Sequence, residues 1–134
     1  MDYSLNNIKK IIVSKPLKLD CGQTIKDFPI AYETYGKLNE KKNNAILVFH
    51  ALTGDQFVTG ANPITKKDGW WCSAVGPGKA IDTEKYFVVC ANVLGGCMGS
   101  FGPKNIDKET NQPYALNFPV ITIKDMVKAQ ETLL

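Results

Sequence analysis

Asn44-Ala45-Ile46-Leu47-Val48-Phe49-His50-Ala51-Leu52-Thr53-Gly54-Asp55 is the stretch whose reading decides the fold. Ala45 to Phe49 is an unbroken apolar run, too short for a free-standing helix and rich in β-formers. It predicts a strand buried on both faces, as in a parallel sheet. The run stops at a His and passes into a Thr-Gly-Asp turn. In open α/β sheets chemistry sits just beyond the carboxyl ends of the strands. Ala51 to Asp55 is therefore expected at the active edge.

Downstream, Tyr86-Phe87-Val88-Val89-Cys90-Ala91-Asn92 reads as a second fully apolar strand. The residues between the two runs are enough for a right-handed parallel crossover. Gln56 to Ala80 is irregular, with turn signals at Asn62-Pro63, Asp68-Gly69 and Pro77-Gly78. Trp70-Trp71 lies among them and could either line a pocket or cap the core under the loop.

Upstream, Ile11-Ile12-Val13 is a short edge-strand candidate after a polar opening. Leu17 to Asp20 alternates, Cys21-Gly22 turns, and Phe28 to Tyr35 is the next strand, with Ile30, Tyr32 and Thr34 on one face and Gly36 at its end. Two alternating strands about a Gly turn predict an antiparallel hairpin. Pro29 suits the start of an edge strand. Thr122 to Leu134 reads as a helix. Thr122 caps it, Asp125 completes a capping box, and Ile123, Met126, Val127, Gln130, Leu133 and Leu134 form a stripe that is apolar except at Gln130. No Gly, Asn or Pro closes the helix, and the chain reads as cut rather than finished.

With 134 residues, 44% hydrophobic and 22% charged, the chain reads as at most one soluble globular domain. Its 16 basic and 13 acidic residues are dispersed, which argues against nucleic-acid binding. Every basic residue is Lys, so an Arg clamp for a carboxylate is not complete in this chain. No run is apolar for a membrane-spanning length, and no signal peptide opens the chain. Cys21, Cys72, Cys90 and Cys97 form no C-x-x-C pair and, with one His, no metal pattern. A reducing cytoplasm with free thiols is the plain reading.

Candidate chemistry is sparse. His50, the single His, reads as closing its strand and shaping the loop, because a base needs a nucleophile within hydrogen-bond reach. Asp55 and Asp82 read as turn residues that bond their own backbone. Gly95-Gly96-Cys97-Met98-Gly99 spells G-x-C-x-G, a nucleophile-elbow pattern. An elbow needs a helix directly after it, and Gly102-Pro103 forbids one, so a tight glycine loop is expected and a Cys97-dependent enzyme is the remoter reading. Without G-x-S-x-G or a late His, no Ser…Asp…His order can be built.

His50-Ala51-Leu52-Thr53-Gly54-Asp55, Gly69-Trp70-Trp71, Val75-Gly76-Pro77-Gly78-Lys79, Asn92-Val93-Leu94-Gly95-Gly96-Cys97, Gly99-Ser100 and Phe118-Pro119-Val120-Ile121-Thr122 occur in one order. Together they resemble the homoserine O-acetyltransferases, α/β-hydrolase-fold acyltransferases of methionine biosynthesis. The resemblance implies a mixed, mostly parallel sheet of strand order 1-2-4-3-5 and onward. Residues 1–134 would be a partial domain holding strands 1 to 4 and the helix after strand 4, truncated before the nucleophile elbow. It implies a ping-pong reaction: a Ser takes the acetyl group from acetyl-CoA and the L-homoserine hydroxyl removes it. No bound cofactor or metal is implied; acetyl-CoA is a co-substrate. Leu52 would offer a backbone N–H to the oxyanion, and Thr53 would contact substrate. The Ser, Asp and His of the triad are absent from this sequence. Succinyl-CoA as donor and serine as acceptor also occur among relatives. The resemblance further implies that Ala45 to Phe49 is an exposed edge, open to a complementing C-terminal half or to self-association. The chain alone is expected to be inactive, as a remnant or as one part of a split enzyme.

Overall fold

The computed structural model describes residues 8–133; residues 1–7 of the polar opening and Leu134 lie outside it. Four strands form the main sheet: β1 (Lys10–Val13), β2 (Phe28–Tyr35), β3 (Ala45–Val48) and β4 (Phe87–Ala91). Their hydrogen-bonded order is β1-β2-β4-β3, as the resemblance implies. The contacts divide into two units, one around Tyr32–Ala91 and one around Lys10–Ala31 with residues 92–133, and β2 runs through both.

In the first unit β3 and β4 pair in parallel, Ala45 beside Phe87 through Val48 beside Cys90. The second half of β2 runs antiparallel to β4, Tyr32 beside Ala91 through Tyr35 beside Val88. Val48, Val58, Val75, Val88 and Cys90 make the core, with Tyr35, Ile46 and Ile81 packed on it. β4 is buried along nearly all its length. β3 is not: only Val48 is fully buried, and Phe49 is 51% exposed. The expected burial on both faces is not met among the described residues, where β3 is also the last strand in the order, with a neighbour on one side alone.

In the second unit β1 pairs antiparallel with the first half of β2, Val13 beside Phe28. This corrects the expected hairpin. Leu17–Lys18 pairs with Thr24–Ile25 instead, around a turn closed by Gly22 at φ +91°. The partner of β2 is the earlier Ile-Ile-Val stretch, whose side chains match β2 in apolar character. Pro29 lies in the first half of β2, which pairs with β1 alone because the ladder to β4 begins at Tyr32, so its position is locally an edge. Pro29 is tolerated because its carbonyl accepts from Phe101 N (2.8 Å), and the same side of the strand asks for no N–H there. Phe28, Phe101, Tyr114 and Phe118 form a tilted and edge-to-face aromatic cluster in this unit.

The helix, α1, spans Ile123–Gln130 and tightens to a 3₁₀ turn over Glu131–Leu133. The Thr122–Asp125 capping box forms as expected. The buried face differs from the predicted stripe. Asp125, Ala129 and Gln130 are buried, whereas Ile123 is 72% exposed and Val127 is exposed too. Asp125 explains the rotation. Its carboxylate accepts from Asp20 N (3.1 Å) and Thr122 N (3.1 Å), which holds that face inward. Asp20 in turn accepts from the Thr122 hydroxyl (2.9 Å) and from Lys128 (3.2 Å).

Two expectations follow. Gly36 sits at φ +73°, and an added Cβ would overlap the backbone carbonyl oxygens of Thr83 and Tyr86. Gly36→Ala should lower stability by about 2 kcal/mol or more, read from the denaturant midpoint. The Thr122 hydroxyl first, then Lys128, hold the Asp20 carboxyl below its ordinary 3.8. The stability this adds is present above that value and is lost as pH falls through the lower folded one. Midpoints for wild type and Asp20→Asn should therefore differ at neutral pH and converge in acid.

Candidate functional site

The carboxyl end of β3 leads through Phe49 to His50, which is buried. His50 Nδ1 lies 2.7 Å from the Ala51 carbonyl oxygen. That oxygen can only accept, so the contact places a proton on Nδ1. Gly54 N donates to the same carbonyl at 2.8 Å. Ala51 to Gly54 is thus a β-turn with Leu52 and Thr53 at its two central positions. A β-turn spends the amide of its fourth residue on closure and leaves the amide of its second unused. Leu52 N–H accordingly donates to no group among the described residues, and Leu52 is 82% exposed. Thr53 is exposed beside it.

Asp55 ends the turn and bonds its own backbone as the sequence suggests. Its Oδ1 accepts from Phe57 N (2.8 Å). Its reach is wider than a turn residue's. Oδ2 accepts from Asn62 Nδ2 (3.1 Å), and its carbonyl accepts from the Trp70 indole Nε1 (2.9 Å). The Cys90 thiol of β4 also faces that carbonyl, at 3.9 Å. Asn62 is buried, and its Oδ1 accepts from Ile64 N and Thr65 N. Residues 57–71 fold back on themselves: Trp71 N donates to Val58 O (2.8 Å) and Gly69 N to Gly60 O (2.7 Å). The Tyr35 hydroxyl accepts from Val58 N (3.0 Å), and its burial pushes the phenol up to about 12. Trp70 and Trp71 stack on each other, centroids 5.7 Å apart, and are 43% and 39% exposed. They do not cap the core. The bonds that Asp55 makes to Asn62 and Trp70 were missing from the sequence reading. No spacing rule joins residues 7 and 15 positions apart in a loop.

Asp82 is the other turn carboxylate. It accepts from Gly78 N and Glu84 N, both at 3.0 Å, which hold its carboxyl below the usual range. Within the second unit the Gly95–Pro103 stretch is a closed loop and no elbow. Gly95 N donates to Phe101 O, Met98 N to Asn92 Oδ1, and Ser100 Oγ to Asn92 O. An added Cβ at Gly96 would meet Asn92 Oδ1 at 2.6 Å, so close approach, not nucleophile display, sets the residue there. No helix follows, and Cys97 is exposed. No group of three or more His, Cys, Asp or Glu that could hold a metal occurs among the described residues. No described helix is long and apolar enough to cross a membrane.

No protein-family profile matches the chain. It is 72% identical over 128 residues to the homoserine O-acetyltransferase of Pelagibacter ubique, across 96% of this chain and 34% of that protein. The homoserine O-acetyltransferase of Mesorhizobium japonicum is 58% identical, across 99% of this chain and 34% of that protein. The crystal structure of the Bacillus anthracis homoserine O-acetyltransferase superposes with a TM-score of 0.84 at 36% identity, covering 93% of this chain and 35% of that one.

The chain belongs to the homoserine O-acetyltransferase family.

It spans about a third of the length of the curated relatives that it matches. Its fold is the corresponding part of an α/β-hydrolase sheet. Esterase E22, also of this fold, superposes with a TM-score of 0.81 at 33% identity, across 95% of this chain and 37% of that one. Homoserine O-acetyltransferases and esterases therefore share the frame described here, and the frame alone does not choose the acyl acceptor.

The four cysteines are unpaired and differ sharply in setting. Burial first, then the Asp55 carboxylate, pushes the Cys90 thiol up to about 12, while Cys21 and Cys97 are exposed. Thiolate is the reactive form. Alkylation of the native chain at mildly alkaline pH should label Cys21 and Cys97 and leave Cys90 unlabelled until denaturant is added. Peptide mass mapping reads the result.

Proposed function

We propose that this chain is the oxyanion-side part of a homoserine O-acetyltransferase. The turn at the carboxyl end of β3 supplies the Leu52 N–H to the oxyanion that forms when a Ser attacks the thioester of acetyl-CoA. The same N–H serves again when the L-homoserine hydroxyl attacks the acyl-enzyme. Thr53, beside Leu52 in the turn, contacts the substrate. The observation that carries this reading is the exposed, uncommitted Leu52 amide in a turn held at both ends. A preset N–H aimed at developing charge is worth roughly 10²–10³ in kcat, so the turn contributes a real share of catalysis. It cannot start the reaction, because this sequence contains no G-x-S-x-G and no second His. The site of action is the cytoplasm, which suits four unpaired thiols.

A second reading concerns the partner. The outer edge of β3 carries no strand among the described residues, and its side chains are apolar. Such an edge takes a further strand, either from the segment that full-length relatives carry beyond this third or from another copy of the chain.

Both readings meet in one experiment. The chain is produced alone and together with the remaining two thirds of the Pelagibacter ubique relative. Thiol release from acetyl-CoA in the presence of L-homoserine is then measured. The chain alone should be inactive and self-associating by light scattering. The pair should form a one-to-one complex that transfers acetyl. Transfer by the chain alone would overturn the proposal, and an inactive one-to-one complex would leave a remnant without catalysis.

A further inference from the structure

We propose that Asp55 is the positioning residue of the Ala51–Gly54 turn, with Asn62 and Trp70 as its supports, and that this triangle aims the Leu52 N–H. The inference rests on the proposed oxyanion role of Leu52 and extends it to residues that do not touch substrate. A four-residue turn keeps its direction only if both ends are fixed. β3 fixes the entrance through its ladder to β4. The exit is Asp55, one residue past Gly54, and every acceptor atom it owns is engaged. Oδ1 holds Phe57 N, Oδ2 holds Asn62 Nδ2, and the carbonyl holds Trp70 Nε1 with the Cys90 thiol alongside.

The supports are themselves fixed. Asn62 is buried and its oxygen is already spent on Ile64 N and Thr65 N, so only its NH₂ can face Asp55. That polarity demands an acceptor at Oδ2 of residue 55, which a carboxylate provides and an amide nitrogen does not. Trp70 is held by Trp71, whose ring stacks on it and whose N–H donates to Val58 O. Gly69 lets this segment approach Thr59, where an added Cβ would overlap the Thr59 amide nitrogen. Asp55 is therefore bound by donors that cannot turn away, and its position is imposed on the turn.

The chemistry of the pair suggests its own rescue. Asp55→Asn must turn its NH₂ on either the Asn62 NH₂ or the Phe57 N–H, so one of these donors loses its acceptor. Adding Asn62→Asp restores a donor–acceptor pair with the direction reversed and still leaves carboxylate oxygen for Ile64 N and Thr65 N. Trp70→Phe keeps an aromatic ring against Trp71, though a smaller one, and removes the N–H.

The test uses the 134-residue chain in complex with the remaining two thirds of the Pelagibacter ubique relative. Asp55→Asn should lower kcat roughly tenfold, since a misaimed oxyanion donor loses part of its effect, while KM for acetyl-CoA stays unchanged. Asn62→Asp in the same chain should restore kcat, and Trp70→Phe should lower kcat in the same KM-independent way. In parallel, amide exchange at Gly54 is followed by NMR in the same complex, with only the 134-residue chain isotopically labelled. Asp55→Asn should accelerate it and the double variant should slow it again. Unchanged exchange at Gly54, or a loss of activity carried by KM, overturns the positioning role. An inactive wild-type complex overturns the underlying reading of Leu52 instead, and exchange at Gly54 still decides whether Asp55 fixes the turn. If Asp55→Asn fails to fold, Trp70→Phe carries the same pair of readouts.

Discussion

The register that sets Ala45 beside Phe87 and Val48 beside Cys90 is the constraint on which the first unit depends. Two parallel strands cannot be joined by a tight turn, so the chain must leave β3 and return before β4. Here that return is made by largely irregular backbone, with one short parallel pairing of Val75–Gly76 and Ile81–Asp82, and not by a helix. Irregular backbone brings buried N–H and C=O groups that no ladder satisfies. Tyr35, Asp55, Asn62 and Asp82 satisfy them one by one. The polar residues of the crossover thus do the work that a helix does in most parallel units. They also make the exit from β3 rigid, which is what a site at a strand end requires.

What could be read from the sequence was local or nearly so. The apolar runs became β3 and β4, the capping box at Thr122 and Asp125 formed, and Asp55 and Asp82 bonded neighbouring amides. The strand order β1-β2-β4-β3 came with the family resemblance, not from the runs themselves. The failures were all of partner choice. Leu17–Lys18 alternates as well as β1 does, and pattern alone did not tell which would meet Phe28–Tyr35. The apolar stripe of α1 was legible, yet Asp125 rotated the buried face towards its own side through bonds to Asp20, more than a hundred positions earlier, with Gln130 the stripe residue that stays buried. The Asp55–Trp70 bond was out of reach for the same reason.

Fold and chemistry separate cleanly in this chain. The sheet superposes on a homoserine O-acetyltransferase and on an esterase alike, so the frame by itself does not fix the chemistry. On the proposed reading, this third contributes stabilisation of charge and no bond-making atom. The chain matches its relatives closely over only a third of their length.

The stacked indoles have an optical consequence. Trp70 and Trp71 are the two tryptophans of the sequence, 5.7 Å apart and inclined by 9°. Transition dipoles at that separation couple, and the coupling gives a paired circular-dichroism band that isolated indoles lack. Because one of the rings is tethered to Asp55, the band is a built-in spectroscopic gauge of the loop beside β3, readable without any label.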